Sequence, residues 1–495
     1  MSLLGVYEVA ELGDKVAELL GAHAVKGDET KLRVPDNYTN RIVLGLPLRD
    51  NKEYKVPQDI DGLFDYQVED VTEMINSTAY LNRNKPGYGK TIEAIVAAKN
   101  LNAKRILVIA PNPTVHQWAT QFRSWWPERT EDVYEASMTD KTILHDICIV
   151  NPEKVVSAKL RNLFCNTTWN VLIVDEAHML KNRKSLRTKT IKNIPAYYRW
   201  ALTGTPILRN PDDLWSILDF LNPKYAGGSY WNFVRYYCEV EQTYFGEQIK
   251  GLTKNQKHVD TLHILLNAIS CYHPERQTEF GKTRITVSLA MDKKQKRLYN
   301  NVRKLVYAEL PDDLTIANGA VLVTRLLQVT SAPSMFDDKI AGIKFEWILQ
   351  FLKDNPTEKV VIYSRFEKAL SLLFQYLNEN DIRSVMYTGK VNSQLRAYNK
   401  SRFISDPATR VLLGTMQAVG VGVDGLQKAS HICIFLDKDF VPEMNNQYED
   451  RLNRIEQTEE VLCYYLDCEK SWDLQVTKTN KMRISDIKRL LKEEE

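Results

Sequence analysis

The chain has 495 residues, of which 66 are Lys or Arg and 63 are Asp or Glu, so its formal net charge is only +3. This length predicts two to four domains, and 44% hydrophobic with 26% charged residues is typical of a soluble globular protein. The near balance of charge excludes an overall basic coat, so a surface for nucleic acid would have to be a local patch. No apolar run is long enough to span a bilayer, and no membrane partner is expected.

The cysteines and the N-terminus indicate a cellular compartment. Seven cysteines are scattered without a Cys-x-x-Cys pair, which argues against a disulfide framework or a cysteine-bound metal. Glu8, Glu11 and Asp14 lie close to the start of the chain, which argues against a signal peptide. We therefore expect a reducing, cytoplasmic location, which for a viral protein means the host cytoplasm.

The chain opens with a segment, 1–55, that shows no pattern of chemically active side chains, and we interpret it as an N-terminal extension. Within it, the apolar stretch Ile42–Pro47 is predicted to add an edge strand to the first domain. Apolar runs and helical patterns alternate through 56–223, which predicts a first α/β lobe.

A glycine-rich loop at 84–91, N-K-P-G-Y-G-K-T, is followed by a helical pattern. Gly87 and Gly89 allow the backbone to wrap phosphate oxygens with its N–H groups. Lys90 brings a positive charge to the β- and γ-phosphates of a nucleotide, and the hydroxyl of Thr91 can bind Mg²⁺. The strict Walker A motif has a glycine where this chain has Asn84, so this is a relaxed version of it.

A continuous apolar run, Val171–Val174, ends directly in Asp175 and Glu176. Such a run predicts a central strand of a parallel sheet, buried on both faces, and ligands bind at the C-terminal ends of such strands. Asp175 is a hard oxygen ligand for Mg²⁺, and Glu176 is the candidate base for a water that attacks a phosphate. The alternative is a strand that ends in two solvated acids.

The charge pattern changes after this strand. No Asp or Glu occurs from Ala177 to Pro211, although the rest of the chain is balanced. The same span carries eight basic residues: Lys181, Arg183, Lys184, Arg187, Lys189, Lys192, Arg199 and Arg209. A stretch that carries only positive charges predicts a surface that binds the phosphates along a nucleic-acid backbone. The alternative is a basic helix that is merely solvated.

The C-terminal half divides into three further predicted parts. Residues 224–335 are predicted as helical protrusions and a linker, and the aromatic cluster at 230–237 is interpreted as core. A second alternation of strands and helices predicts a second lobe at 336–475, with strands at Lys359–Tyr363, Arg410–Gly414 and Ser430–Leu436. Residues 476–495 are predicted as a C-terminal helix of mixed charge.

Two arginines stand near the end of the second lobe. Arg451 and Arg454 are three residues apart, so on a helix they would share a face. Two guanidinium groups on one face suit the charge that develops on a transferring phosphoryl group. The alternative is a surface helix with ordinary ion pairs.

Taken together, these motifs resemble those of superfamily-two helicases. Asp175–Glu176–Ala177–His178 looks like motif II, the DEAH motif of that superfamily. Leu180–Lys181–Asn182 and the stretch Asp213–Pro223 resemble the narrower SWI/SNF-type branch of ATP-driven DNA translocases. The fold class that this resemblance implies is α/β, with two RecA-like parallel-sheet lobes in tandem and helical insertions between them.

The resemblance also implies roles for single residues. Gln67, in F-D-Y-Q, resembles a motif before the phosphate loop, and its amide matches the donor and acceptor on one edge of adenine; the alternative is an ordinary surface glutamine. Gly422, Asp424 and Gln447 fall in look-alikes of motifs V and VI and are expected to contact the nucleotide. Nucleic-acid contacts are expected at Asn112, His116, Trp118, Lys181, Asn182, Thr203, Ser364, Arg365 and Thr415.

The chain departs from the family in the linker. The family usually has an arginine pair near the start of the linker, where this chain has Ser270, Cys271, Tyr272 and His273. Arg276 is the only arginine nearby, so the sequence does not carry the pair at this place.

We interpret the chain as an ATP-dependent DNA translocase that uses ATP and Mg²⁺ to move on or remodel duplex DNA. Lys90, Asp175, Glu176, Arg451 and Arg454 are the expected catalytic residues. Since the first three lie in lobe 1 and the arginines in lobe 2, turnover is expected to require closure of the lobes. Two alternatives stay open: a strand-separating helicase on single-stranded DNA or RNA, and a nucleotide-switched binding protein without turnover. No pattern in the sequence identifies a protein partner.

Overall fold

The computed structural model describes residues 2–48, 54–140, 142–143, 145–207, 210–243, 246–273, 280–308, 316–420, 425–454 and 456–491. The chain divides into two compact units. Unit 1 comprises Met1–Glu275 with Arg483–Glu495, and unit 2 comprises Arg276–Met482. Along the described residues, no helix is both long and apolar enough to cross a membrane.

Unit 1 begins with a small antiparallel sheet whose middle strand is β3. The elements of this region are β1 (Leu3–Glu8), α1 (Val9–Leu12), β2 (His23–Val25), β3 (Asp28–Pro35) and α2 (Tyr38–Leu44). The prediction of an edge strand at Ile42–Pro47 is wrong, because the side chain of Asn37 caps α2 and Gly45, at φ +72°, ends it. Glycine adopts this left-handed conformation without a steric penalty.

Seven parallel strands form the main sheet of unit 1, in the order β12-β4-β9-β8-β5-β7-β6, and β10 and β11 pair as an antiparallel hairpin. These strands are β4 (Ala79–Asn82), β5 (Ile106–Ile109), β6 (Val133–Glu135), β7 (Ile147–Val150), β8 (Trp169–Asp175), β9 (Ala196–Leu202), β10 (Cys238–Thr243), β11 (Gly246–Leu252) and β12 (Ser270–Cys271). Strand β8 is the fourth of the seven, and Val171–Val174 are fully buried within it. The predicted central strand is therefore confirmed.

Helices cover this sheet through apolar side chains that recur at helical spacing. They are α3 (Asp65–Asn76), α4 (Lys90–Asn100), α5 (Val115–Trp125), α6 (Pro152–Val155), α7 (Ala158–Cys165), α8 (Leu186–Asn193), α9 (Asp213–Leu221), α10 (Tyr230–Tyr237) and α11 (Gln256–Ile269). In α5, Trp118 and Phe122 are buried on the same face, as residues four apart on a helix are expected to be. Phe233, Tyr236 and Tyr237 of α10 lie in the same core as the sheet, as interpreted, whereas Trp231 of the same cluster is exposed.

Unit 2 has a second sheet, with all six strands paired in parallel in the order β13-β18-β17-β14-β16-β15. Its strands are β13 (Lys282–Leu289), β14 (Val360–Ser364), β15 (Ser384–Tyr387), β16 (Val411–Thr415), β17 (Ile432–Phe435) and β18 (Val461–Cys468). Its helices are α12 (Lys293–Ala308), α13 (Ile316–Ser331), α14 (Ile343–Asp354), α15 (Glu367–Glu379), α16 (Ser393–Ser405), α17 (Met416–Gly420), α18 (Pro442–Glu449) and the start of α19 (Trp472–Leu491). The residues of α19 from Arg483 onward belong to unit 1.

Each of the two parallel sheets has apolar side chains packed against both of its faces. The strands predicted at Lys359–Tyr363, Arg410–Gly414 and Ser430–Leu436 correspond to β14, β16 and β17. The predicted fold class, α/β with two parallel-sheet lobes in tandem, is confirmed.

Candidate functional site

The glycine-rich loop connects β4 to α4, and side chains of α3 donate hydrogen bonds to it. Gly87 and Gly89 have φ angles of +90° and +89°, which favour glycine. Between them, the carbonyl of Tyr88 accepts hydrogen bonds from the Tyr66 hydroxyl at 2.9 Å and from Gln67 Nε2 at 3.0 Å. The two glycines therefore turn the loop, and α3 fixes its position.

Gln67 is not a surface residue, so that alternative is wrong. Its side chain is almost fully buried, and its Oε1 accepts a hydrogen bond from the Phe64 N–H at 3.1 Å. A Cβ atom on Gly89 would lie 2.2 Å from Gln67 Nε2, so no other residue fits there without a shift. The role of Gln67 in binding adenine stays a prediction.

Lys90 is folded back onto the loop. Its ammonium donates hydrogen bonds to the carbonyls of Asn84 at 2.6 Å and Lys85 at 3.1 Å. Desolvation lowers the pKa of Lys90, whereas the nearby carboxylates of Glu176 and Asp175 favour its charged form. Thr91 follows in the first turn of α4, whose N-terminus favours an anion.

The end of β8 holds the first candidate acid in a defined orientation. Asp175 Oδ2 accepts a hydrogen bond from Trp118 Nε1 at 2.9 Å, and Asp175 Oδ1 accepts one from the Glu176 N–H at 2.9 Å. Burial, and then the charge of Glu176, raise the pKa of Asp175, while the Trp118 N–H and Lys90 act in the opposite direction. The structure thus brings Lys90, Asp175 and Glu176 together.

Glu176 occupies a special backbone position and touches a histidine. Its φ is +47°, in the left-handed region that non-glycine residues rarely adopt. Its Oε2 lies 3.1 Å from His178 Nδ1, which is 3.4 Å from the Thr203 hydroxyl. This hydroxyl accepts a hydrogen bond from the Thr205 N–H at 3.2 Å. A chain of contacts therefore leads from the candidate base to the segment after β9.

The expected nucleic-acid contacts of unit 1 fall into two groups. Trp118 and Thr203 are fully buried and contact other site residues, and their contact with nucleic acid stays a prediction. Asn112 and His116 are exposed: Asn112 Oδ1 accepts from Asn151 Nδ2 at 2.8 Å, and His116 Nδ1 lies 2.9 Å from Glu135.

Some basic residues of the stretch 177–211 interact with other groups of unit 1. Several of its described cations have internal partners: Arg183 lies over the Tyr230 ring, Arg187 donates to the Met179 carbonyl, Lys192 pairs with Asp219, and Arg199 donates to the Ile194 carbonyl. Lys184, Lys189 and the predicted contact Asn182 are exposed, and Lys181 is half-buried. Arg209 lies outside the described residues. The exposed charge is thus smaller than the sequence predicts.

In unit 2, the predicted contacts Ser364 and Arg365 follow β14 and share one acid. The Ser364 hydroxyl and the Arg365 N–H both donate to Asp437, the latter at 2.9 Å. Thr415 is the last residue of β16 and is largely buried. Sequence reasoning missed Asp437, although it follows an apolar strand just as Asp175 does.

The predicted arginine pair does not lie on a helix. Helix α18 ends at Glu449, and Arg451 and Arg454 lie in the turn that follows, so the expectation of a shared helical face is wrong. Arg454 Nε donates to the carbonyl of Asp450 at 3.1 Å. Gln447 is largely buried near the end of α18. Gly422 and Asp424 lie outside the described residues.

The linker segment that lacks the arginine pair has contacts of its own. His273 Nε2 lies 3.0 Å from Asp70 Oδ1, and the His273 N–H donates to Asn84 Oδ1 at 3.0 Å. Sequence reasoning treated this segment only as a loss. No local pattern links Asp70, Asn84 and His273, because they are far apart in the chain. Arg276 lies outside the described residues.

Comparison with known proteins agrees with this architecture. The model of the SNF2-related domain matches residues 73–334, and that of the helicase conserved C-terminal domain matches residues 343–456. The two matches define the class as helicase-like proteins with two parallel-sheet lobes. The chain belongs to the family of SNF2-related domain proteins, which confirms the predicted resemblance to SWI/SNF-type ATPases.

Similar curated proteins are much longer than this chain. The ISWI chromatin-remodeling complex ATPase CHR17 of Arabidopsis thaliana is 26% identical over 85% of this chain and 41% of its own length. The human DNA annealing helicase and endonuclease ZRANB3 is 26% identical over 77% of this chain and 36% of its own length. Among solved structures, the Sulfolobus solfataricus SWI2/SNF2 ATPase core in complex with dsDNA is 19% identical, with a TM-score of 0.41, over 88% of this chain and 94% of that chain.

Proposed function

We propose that the chain is an ATP-dependent DNA translocase of the SWI/SNF type, which hydrolyses ATP to move on or remodel duplex DNA. One observation carries the proposal. In unit 1 the phosphate-loop Lys90 lies beside Asp175 and Glu176 at the end of the central strand, in a chain of the SNF2-related family. A cation for phosphates, a metal ligand and a base are the parts that phosphoryl transfer requires.

The residues of unit 1 take separate roles in this reaction. Lys90 would leave the loop carbonyls to bind the β- and γ-phosphates of ATP, and Thr91 and Asp175 would hold Mg²⁺. When bound, Mg²⁺ offsets negative charge on the phosphates. Glu176 accepts a proton from the attacking water, and its contact with His178 orients the carboxylate. The half-buried Asp175, with hard oxygen atoms at a strand end, fits the metal chemically.

The remaining predicted residues complete the proposal. Gln67 and Gln447, with Gly422 and Asp424, are assigned to the nucleotide, and Arg451 and Arg454 to the charge that develops on the phosphoryl group. Nucleic acid is assigned to the exposed Asn112, His116 and Asn182, and to Lys181, Ser364, Arg365 and Thr415. Two relatives whose names refer to chromatin remodeling and to DNA support DNA as the partner, and we propose that it is double-stranded. We propose a cytoplasmic location, where the seven free cysteines would stay reduced.

One experiment separates this function from its alternatives. ATP hydrolysis is measured in parallel without nucleic acid and with single-stranded DNA, duplex DNA or RNA. Duplex DNA is expected to stimulate turnover most, and equal or greater stimulation by RNA would contradict the proposal. A strand-displacement assay identifies a strand-separating helicase, and nucleotide binding without any turnover identifies a nucleotide-switched binding protein.

The variant Glu176→Gln provides the internal control. An amide keeps the shape of the side chain but takes no proton, so turnover should fall by about 10²–10⁴-fold while ATP binding persists. Glu128→Gln, which changes an exposed acid of the same unit, should leave turnover unchanged. Substantial turnover by Glu176→Gln would exclude Glu176 as the base.

A further inference from the structure

A buried polar cluster lies beneath the phosphate loop, formed by Asp70 of α3, Asn84 of the loop and His273 after β12. Asp70 and Asn84 are 2% and 0% exposed. Asn84 Nδ2 donates to Asp70 Oδ2 at 2.6 Å, His273 Nε2 lies 3.0 Å from Asp70 Oδ1, and the His273 N–H donates to Asn84 Oδ1 at 3.0 Å. The three residues thus close a ring of contacts, although 189 positions separate Asn84 from His273.

Asn84 connects this cluster to the lysine that is assigned to phosphate. Its carbonyl accepts the 2.6 Å hydrogen bond from Lys90 Nζ, and its N–H donates to Asn82 Oδ1 at 3.0 Å. A hydrogen bond from an ammonium is stronger than a neutral one. When phosphates take over the donors of Lys90, the Asn84 carbonyl loses this bond, and the peptide that carries the Asn84 side chain is held less firmly.

His273 marks the place where the chain leaves unit 1. Strand β12 pairs with β4 immediately before it, and the Arg83 N–H donates to the Cys271 carbonyl at 3.1 Å. The boundary between the units falls between Glu275 and Arg276. The contacts of His273 therefore hold the last described residue before this boundary, and we call them the anchor of the connection.

We propose that Asp70, Asn84 and His273 form a positioning cluster, through which a nucleotide at the phosphate loop loosens the anchor of the connection between the units. The cluster touches no phosphate and acts only through Asn84 and its bond to Lys90. This inference rests on the proposed binding of ATP at Lys90. It assigns a role to the segment in which this chain lacks the arginine pair of its family.

Hydrogen–deuterium exchange of the His273 amide tests the inference on the full chain. In the free protein the amide is protected by Asn84 Oδ1. Adding Mg²⁺ with a non-hydrolysable ATP analogue should make it exchange roughly 2- to 10-fold faster, which corresponds to the loss of one net hydrogen bond. Binding of the analogue is measured in the same samples by its fluorescence.

Two variants test whether nucleotide binding is coupled to the His273 amide through Asn84 or whether the contact is merely structural. Asn84→Ala should exchange rapidly at His273 without nucleotide and show no further increase with it. Asn100→Ala is the matched control, because Asn100 also fixes a loop of unit 1, accepting from the Gln58 N–H at 2.7 Å. In that variant the response of His273 to nucleotide should be unchanged.

A second pair of variants keeps the test open if Asn84→Ala does not fold. His273→Phe keeps a ring beside Tyr66, whose centroid is 5.1 Å away, but loses the bond to Asp70. His273→Gln restores a donor at that position. Without the bond to Asp70, the cluster that positions Asn84 is already loosened, so the residue-273 amide of His273→Phe should exchange faster in the free protein and respond less to nucleotide. His273→Gln should restore both the protection and the response.

The outcomes distinguish this inference from the proposed function. Analogue binding without any change in exchange at His273 would overturn the positioning cluster and leave the proposed function standing. Equal nucleotide responses in His273→Phe and the unaltered protein would likewise overturn it. Failure of the analogue to bind would overturn both.

Discussion

Both sheets place an aspartate after an interior strand, yet the two aspartates differ in what surrounds them. Asp175 ends β8 with a half-buried side chain beside Lys90. Asp437 follows β17, is only 3% exposed, and accepts hydrogen bonds from the hydroxyls of Ser364 and Ser331 and from the Arg365 N–H. Burial raises the pKa of both carboxyls.

This contrast shows that partners, and not residue type or position after a strand, decide the role of an acid. The oxygens of Asp437 are taken by groups of unit 2 that hold the segment after β14 in place. Asp175 accepts a side-chain hydrogen bond from Trp118, and among the described residues Lys90 and Glu176 are the charged groups beside it. A metal ligand is therefore expected at Asp175 and a structural acid at Asp437.

The variant with the largest expected effect is Arg454→Ala. It tests whether the turn of unit 2 that carries Arg451 and Arg454 takes part in the reaction. Arg454→Ala should lower DNA-stimulated turnover by about 10³–10⁵-fold, the usual contribution of an arginine finger, with little change in ATP affinity. Arg454→Lys should rescue poorly, because an ammonium lacks the planar fork of a guanidinium. The measurement is turnover and ATP affinity at saturating duplex DNA.

The control for this prediction is Arg402→Ala, which removes a partly exposed arginine of unit 2 whose Nε lies 3.8 Å from Asp406 Oδ2. Exposed ion pairs contribute little, so it should turn over normally. Normal turnover by Arg454→Ala would restrict the chemistry to unit 1.

The same substitution at the two aspartates sharpens the comparison directly. Asp175→Asn should lower turnover at least about 10²-fold, because a bound metal supplies several kcal/mol of charge stabilisation, and should leave stability nearly unchanged. Asp437→Asn should instead lower the free energy of unfolding by about 1–3 kcal/mol and leave ATP binding intact. Denaturant unfolding and ATP turnover are measured for both. Equal effects of the two variants would refute the distinction.

Trp118→Phe tests whether this tryptophan orients the carboxylate of Asp175 or contacts nucleic acid. It removes the N–H donor to Asp175 but keeps an aromatic ring in the core. A hydrogen bond to a charged group is worth about 1.5–3 kcal/mol, so turnover should fall roughly 10- to 100-fold while DNA affinity stays the same. Reduced DNA affinity with normal turnover would favour the nucleic-acid contact that the sequence resemblance implied.

The smallest expected effect concerns the basic stretch 177–211. Lys189→Ala removes an exposed cation and should reduce the slope of log affinity for DNA against log salt by about 1. Lys192→Ala removes a cation that pairs with Asp219 at 2.7 Å, and it should lower stability without changing the slope. Salt titrations of DNA binding for both variants decide between these outcomes. An unchanged slope for Lys189→Ala would show that this lysine meets no phosphate.

Much of the architecture follows from the sequence alone. Apolar runs such as Val171–Val174 require burial on two faces, so they indicate a parallel sheet without any long-range information. The glycines of the loop and the acids after β8 are likewise local signals, because turn geometry and strand ends depend on neighbouring residues.

Only the tertiary structure decided which polar groups meet. Trp118 lies 57 positions from Asp175, and His273 lies 203 positions from Asp70, so no local pattern predicts either contact. The end of α18 before Arg451 and Arg454, and the pairing of Lys192 with Asp219, likewise appear only once the segments are packed. The physical reason is that a buried polar group must find a partner, and the partner is whichever group the folded chain brings within hydrogen-bond distance.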